Sequence, residues 1–136
     1  MAADEYILAF DYGEKRVGVA VAHSIARFPR PLVTLANGDT LYEEIAKIIQ
    51  NENAKRLVVG LPRNMDGSLG QQTERCEAFG TALAALFDMP VEYVDETLSS
   101  VSAETFMGSL NGKSMGLDAV AAAVILERYL TETPGL

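Results

Sequence analysis

Histidine and cysteine are nearly missing from this 136-residue chain, which has one of each, His23 and Cys76. A lone cysteine forms no intramolecular disulfide, which suits a reducing cytosol. Cys76 recurs with Phe79, Leu83 and Leu86 at helical spacing, so it reads as a small buried hydrophobe rather than a nucleophile. A single histidine leaves a His-based zinc centre or a Ser-His-Asp triad poorly supplied, and His23 reads as a strand-end residue near the site rather than a general base. Long apolar runs are missing too. The longest, about Ala119 to Leu126, is far too short to cross a bilayer, so no membrane partner is expected. The first residues, Met1-Ala2-Ala3-Asp4-Glu5, lack the basic region of a signal peptide, and a cytoplasmic location is expected. Positive charge is scarce: 11 Lys and Arg stand against 19 Asp and Glu, a net charge of −8. That balance opposes contact with a phosphate backbone. Against it, Lys15, Arg16, Arg27, Arg30, Arg63 and Lys113 all fall in predicted turns or loops, where sites are usually built. Clustered carboxylates would also add negative charge that bound cations neutralise.

What is present is an apolar fraction of 49%, enough for one substantial core, in a length that fits one domain. Tyr6 to Phe10 is an apolar run ending at Asp11. A Gly-containing turn through Gly13 to Arg16 leads to a second strand from Val17 to about His23, a hairpin signature. Arg27 to Pro31 reads as a loop because proline cannot donate to a central ladder, and Leu32 to Leu35 as a short third strand. Thr40 and Glu43 have capping-box spacing for a helix with Leu41, Ile45, Ile48 and Ile49 on its apolar face. Leu57 to Gly60 reads as a buried strand, Leu61 to Gly70 as a loop, and Gln71 to Phe87 as a helix. Pro90 precedes a strand from Val91 to Val94, with Asp95 and Glu96 at its end. Ser99 or Ser100 caps a predicted short helix reaching Met107. Asn111 to Ser114 reads as a loop, and Leu117 to Leu130 as the last helix. Strands separated by helices imply parallel pairing with helices on the faces, an α/β domain.

In such sheets sites form beyond the carboxyl ends of strands. Asp11 ends the first strand, Asp95 and Glu96 end the fifth, and Asp118 lies in the first turn of an otherwise apolar helix. Taken one at a time, Asp11 could serve a turn, Asp95 a strand-to-helix junction and Asp118 the positive end of its helix. Glutamate is not a preferred turn or cap residue, so Glu96 has the weakest structural role. Carboxylates brought close together repel unless a cation or a shared proton lies between them. Mg²⁺ and Mn²⁺ favour such oxygen ligands, and two ions about 4 Å apart can activate water and stabilise the leaving oxygen of a phosphodiester. Leu61 to Ser68 is no Walker loop, since it lacks the Gly-Lys-Ser/Thr ending. Its Arg63 could hold a phosphate.

Four blocks in order carry a family resemblance: Ala9-Phe10-Asp11-Tyr12-Gly13-Glu14-Lys15-Arg16-Val17-Gly18-Val19-Ala20, then Val58-Val59-Gly60-Leu61-Pro62-Arg63-Asn64-Met65-Asp66-Gly67-Ser68, then Val94-Asp95-Glu96-Thr97-Leu98-Ser99-Ser100, then Asp118-Ala119-Val120-Ala121-Ala122-Ala123-Val124-Ile125-Leu126. Together they resemble the YqgF family, the RuvX-like Holliday junction resolvases or pre-16S rRNA nucleases, over roughly Ile7 to Leu130. The resemblance implies an RNase H-like fold with a central mixed five-stranded sheet flanked by helices. It implies a nuclease dependent on Mg²⁺ or Mn²⁺, with a two-metal site, acting on structured nucleic acid. The implied role is maturation of the 5′ end of 16S rRNA, with a pre-ribosomal particle as partner; cleavage of branched DNA is the close alternative. It places catalytic and metal-binding roles on Asp11, Glu96 and Asp118, with Asp95 as a further candidate ligand. Nucleic-acid contacts fall on Lys15, Arg16, Arg63, Asn64 and Lys113. Two departures remove positive charge from the path of a phosphate backbone: Thr97 stands where the family usually has arginine, and the 111–116 segment is short, with one lysine. Thr97 and the acidic surface favour, as a third reading, a binding module of the same fold with little catalysis. Asp11-x-Gly13 followed by Gly18 also resembles the phosphate hairpin of actin-like and sugar kinases, but that fold closes two domains over ATP and this chain supplies one.

Overall fold

The computed structural model describes residues 4–62, 70–96 and 116–134. Period-two alternation builds its strands: β1 (Tyr6–Tyr12), β2 (Arg16–His23), β3 (Arg30–Ala36), β4 (Ala54–Pro62) and β5 (Val91–Glu96). The helices are α1 (Leu41–Glu52) after β3, α2 (Gln71–Phe87) after β4, and α3 (Gly116–Glu132) after β5. The sheet has the order β3-β2-β1-β4-β5. β1 pairs antiparallel with β2, and β2 with β3. β1 pairs parallel with β4, and β4 with β5. This is the mixed five-stranded sheet flanked by helices that the motif blocks imply.

Each face of the sheet has its own core. Leu8, Phe10, Val17, Val19, Val21, Leu57 and Val59 face α1 and α2, which supply Leu41, Ile45, Cys76, Phe79 and Leu83. Ile7, Ala9, Ala20, Ala22, Val58 and Val94 face α3, which supplies Ala122, Ala123, Ile125, Leu126, Tyr129 and Leu130. Each fully buried Leu, Ile or Phe contributes about 1.5–3 kcal/mol of transfer free energy. Cys76 is buried as expected. Leu86 is not: it is 58% exposed, and Phe87 packs on the core instead, because the 3.6-residue repeat has drifted one position by the last turn.

Other expectations are corrected by pairing. β3 begins at Arg30 and includes Pro31, which an edge strand tolerates because one side of its ladder is unpaired. Arg16 and Arg30 are first residues of strands rather than turn residues. Thr40 occupies the N-cap of α1 without a side-chain cap bond, so the capping box does not form. β4 starts at Ala54, directly after Asn53 ends α1 in the left-handed conformation (φ 54°). The predicted helix from Ser99 or Ser100 to Met107 and the Asn111–Ser114 loop lie outside the described residues.

The two ends of the sheet differ in chemistry. At the amino ends of the parallel strands, Arg56 Nε donates to Glu5 Oε1 and its Nη1 to Glu92 Oε2, both at 2.7 Å, and the Tyr129 hydroxyl donates to Glu92. Near that end Arg27 donates to the carbonyls of Ser24, Leu130 and Thr133, gripping the carboxyl end of α3. His23 belongs here too. It ends β2 as predicted, but pairs with Tyr6, at the opposite end of the sheet from Asp11, and contacts Asp4 through Nε2. No helix among the described residues is long and apolar enough to cross a membrane.

Candidate active site

Asp11 is the sixth residue of β1 and has the parity of Ile7 and Ala9, which places it on the α3 face at the strand's carboxyl end. Its register partner on β2 is Gly18. A β-carbon added at Gly18 would lie 1.8 Å from the Asp118 carbonyl oxygen and 2.7 Å from the Ala119 nitrogen. Only a residue without a side chain lets the first turn of α3 come down onto β2 there. That contact delivers Asp118 to the rim where Asp11 stands. The two carboxyls feel each other: burial, and then the negative charge of Asp118, raise the Asp11 pKa from 3.8 to about 6. Arg16, two positions before Gly18 on the same face of β2, donates from Nε to Asp118 Oδ2 at 3.0 Å.

Loops and helix ends brace this rim. Gly13 N–H donates to the Arg16 carbonyl at 2.9 Å, closing the β1–β2 turn. Asn37, just after β3, donates from Nδ2 to the Gly13 carbonyl at 2.8 Å and from its backbone to the Lys15 carbonyl at 2.9 Å. The turn that carries Lys15 and leads into Arg16 of β2 is thus held by the residue that follows β3. On the other face, Gln72 Nε2 donates to the Tyr12 carbonyl at 2.8 Å, and the buried Thr73 hydroxyl donates to the Pro62 carbonyl. Consecutive residues of α2 therefore tie down the ends of β1 and β4. Tyr12 stacks on Phe79 with ring centroids 4.4 Å apart.

Of the predicted site residues, the structure brings Asp11, Asp118 and Arg16 together, with Lys15 exposed on the adjoining turn. Asp95 lies at the end of β5 opposite Leu61, with the parity of Tyr93, whose hydroxyl donates to Glu77 of α2. It is exposed on the α2 side of the sheet, not the α3 side where Asp11 lies. Glu96 is the last residue of β5 and pairs with Pro62, while its side chain lies outside the described residues, as do Arg63, Asn64, Thr97 and Lys113. Among the described residues no three His, Cys, Asp or Glu side chains group as metal ligands. The described pair suits a hard cation: both donors are carboxylate oxygens whose negative charges oppose each other, as the raised Asp11 pKa reflects, and the Arg16 guanidinium offsets part of that charge at Asp118. Sequence reasoning missed Asn37, Gln72 and Thr73. Nothing local marks them, since each acts on backbone from a distant element.

A family profile described as "RuvX: Holliday junction resolvase" matches residues 5–132. A protein of Paraburkholderia phytofirmans named "Putative pre-16S rRNA nuclease" is 45% identical over 126 residues, covering 91% of this chain and 86% of its own length. A protein of the same name from Burkholderia multivorans is 39% identical over 137 residues, covering 96% and 92%. Among solved structures, Thermus thermophilus RuvC in complex with a Holliday junction substrate superposes with a TM-score of 0.62 at 13% identity, covering 94% of each chain. The Fowlpox virus resolvase bound to Holliday junction DNA gives 0.58 at 10% identity, covering 93% of this chain and 97% of its own. These two likenesses establish the fold alone, the RNase H-like fold. From the profile match and the curated relatives, the chain belongs to the RuvX family, the YqgF family of the motif blocks.

Proposed function

We propose that this protein is a divalent-metal-dependent nuclease that hydrolyses phosphodiester bonds in structured RNA, acting in the cytoplasm on the 5′ end of precursor 16S rRNA, within or on the way to a pre-ribosomal particle. The observation that carries the reading is the convergence of Asp11 and Asp118, from opposite ends of the chain, over Gly18. The names of the curated relatives point to the RNA substrate.

Asp11, Asp118 and Glu96 would hold Mg²⁺ or Mn²⁺. Position 96 has the parity of Val94 on β5, which packs toward α3, and so falls on the same face as Asp11. Bound there, a pair of ions supplies an activated water and charge stabilisation for the leaving oxygen. The chain's own work is to gather these acids at a half-dry rim, where each unit of charge counts for more than in water. Lys15 on the braced turn and Arg16 at the start of β2 lie beside Asp11 and Asp118 and bind the phosphate backbone, and Arg63, Asn64 and Lys113 are further proposed contacts. The acid set outweighs the loss of an arginine at Thr97, because charge on the backbone path tunes affinity rather than chemistry.

The test compares a 5′-extended 16S precursor fragment with a four-way DNA junction in Mn²⁺, using wild type, Asp11→Asn and Asp118→Asn. Cleavage of the RNA by wild type alone, with both variants folded by circular dichroism, is expected. Cleavage of the junction alone would transfer the reading to branched DNA. Inertness toward both would leave a binding module and overturn the nuclease.

A further inference from the structure

We propose that Arg16 is the resident counter-ion of the acidic site: it holds Asp118 while no cation is bound, and a phosphate of the incoming nucleic acid draws it away, so that nucleic acid and divalent cation bind cooperatively through this one side chain. The inference rests on the reading of Asp11 and Asp118 as metal ligands.

The geometry is set by strand parity. Arg16, Gly18, Ala20 and Ala22 alternate onto the α3 face of β2. Gly18 is where α3 touches the sheet, so a long side chain two residues earlier meets the first turn of that helix. Arg16 reaches Asp118 there through Nε, at 3.0 Å from Oδ2. A carboxylate oxygen that accepts from a guanidinium at this distance is not fully available to a cation, and a cation on it would repel the guanidinium. The two compete for one oxygen.

The competitor is easily released. The Arg16 side chain is 64% exposed and that of Asp118 33%, so the ion pair faces solvent and is weak. A phosphate offers the planar guanidinium a two-point contact matched to its fork, and Arg16 stands exposed at the start of β2, directly after the β1–β2 turn. Transfer of Arg16 from Asp118 to a phosphate leaves two negative carboxyls facing each other, the state in which a divalent cation is held most tightly. Linkage requires the converse: a cation that dislodges Arg16 makes it available to nucleic acid by the same factor. The acidic chain then has a device that withholds the full metal site until its polyanionic partner arrives.

Mn²⁺ affinity is measured by electron paramagnetic resonance at 0.15 M salt, without nucleic acid, for wild type, Arg16→Gln, Arg16→Lys and Lys15→Gln. Binding of a labelled precursor-rRNA hairpin is then measured by anisotropy in EDTA and in Mn²⁺, in the first seconds at 4 °C before turnover. Arg16→Gln is expected to bind Mn²⁺ about three- to fivefold more tightly than wild type, the size of an exposed ion pair. Arg16→Lys, which keeps the charge, stays near wild type, and Lys15→Gln, which removes an adjacent charge outside the pair, changes it less than about twofold because solvent and salt screen it. The factor by which Mn²⁺ tightens the hairpin falls in Arg16→Gln by the same three- to fivefold, as linkage requires. Equal Mn²⁺ affinity in wild type and Arg16→Gln, or equal gains in Arg16→Gln and Lys15→Gln, would overturn the proposal and leave Arg16 a tether of α3. If wild type takes up no Mn²⁺ with or without the hairpin, the metal reading of Asp11 and Asp118 falls first, and this inference with it.

Discussion

Replacing Asp11 by asparagine is expected to stabilise the metal-free protein, and to do so only above acid pH. In the folded state burial and the Asp118 charge raise the Asp11 pKa from 3.8 to about 6. Between those two values the folded protein keeps a proton that the unfolded chain has released, so stability falls as pH rises through the window. Below pH 3.8 the carboxyl is protonated in both states and costs nothing; above about 6 the penalty is complete. A shift of about two units corresponds to roughly 3 kcal/mol. The carboxyl stands at a rim with partial solvent access, so about 1–3 kcal/mol is the expected gain for Asp11→Asn at pH 8, falling away by pH 4. For a domain of this size that is roughly 5–10 °C in Tm at the upper end. Urea unfolding of both proteins from pH 4 to 8, in EDTA, gives the comparison directly. Saturating Mn²⁺ should then stabilise wild type by at least as much, and the variant far less. An Asp11→Asn curve parallel to wild type across the whole range would refute the reasoning, since the carboxyl would then feel neither burial nor its neighbour.

Further expectations follow from the same contacts. In Asp118→Asn the Asp11 carboxyl should titrate lower than about 6 but still above 3.8, because burial is the larger cause; carbon-detected NMR of the side-chain carboxyl reads this. Gly18→Ala drives a methyl into the Asp118 carbonyl, and with backbone on both sides it should cost about 3 kcal/mol in urea unfolding and remove Mn²⁺ binding. Thr73→Val leaves the Pro62 carbonyl without its donor and should cost about 1–3 kcal/mol, whereas Thr73→Ser should retain most of the stability. Asn37→Ala releases the β1–β2 turn, and weaker binding of an RNA hairpin with little change in Tm would separate its role from that of the core residues.

Much of this was readable in the chain. Asp11 stands where an apolar run stops, and that alone marks a strand end facing solvent. The hairpin, the α2 span and the last helix follow from period and from turn residues. What local pattern could not supply was partnership. Thr40 and Glu43 have the spacing of a capping box, yet the Thr40 side chain makes no cap bond. Pro31 argues against a strand only if the strand is central, and β3 is an edge. In the chain, glutamate's weaker turn and cap preference is what sets Glu96 apart from Asp95; in the fold, alternation also sends Asp95 toward α2. The choice between them could have been made from parity once Val94 was assigned to the α3 side. The descent of α3 onto Gly18 had no such cue, since a glycine in a strand also marks bulges and bends.

The grip of Arg27 on the carboxyl end of α3 has a consequence at the other end of that helix. From Asp118 to Leu130 is twelve residues of rigid rod, about 18 Å. One acid of the proposed site, Asp118, therefore rides on a beam anchored far away, in the loop between β2 and β3. Loosening that anchorage, without touching any residue near the rim, would let the beam pivot about Gly18 and spread the carboxyls, so the spacing of Asp11 and Asp118 is partly stored at the opposite pole of the domain.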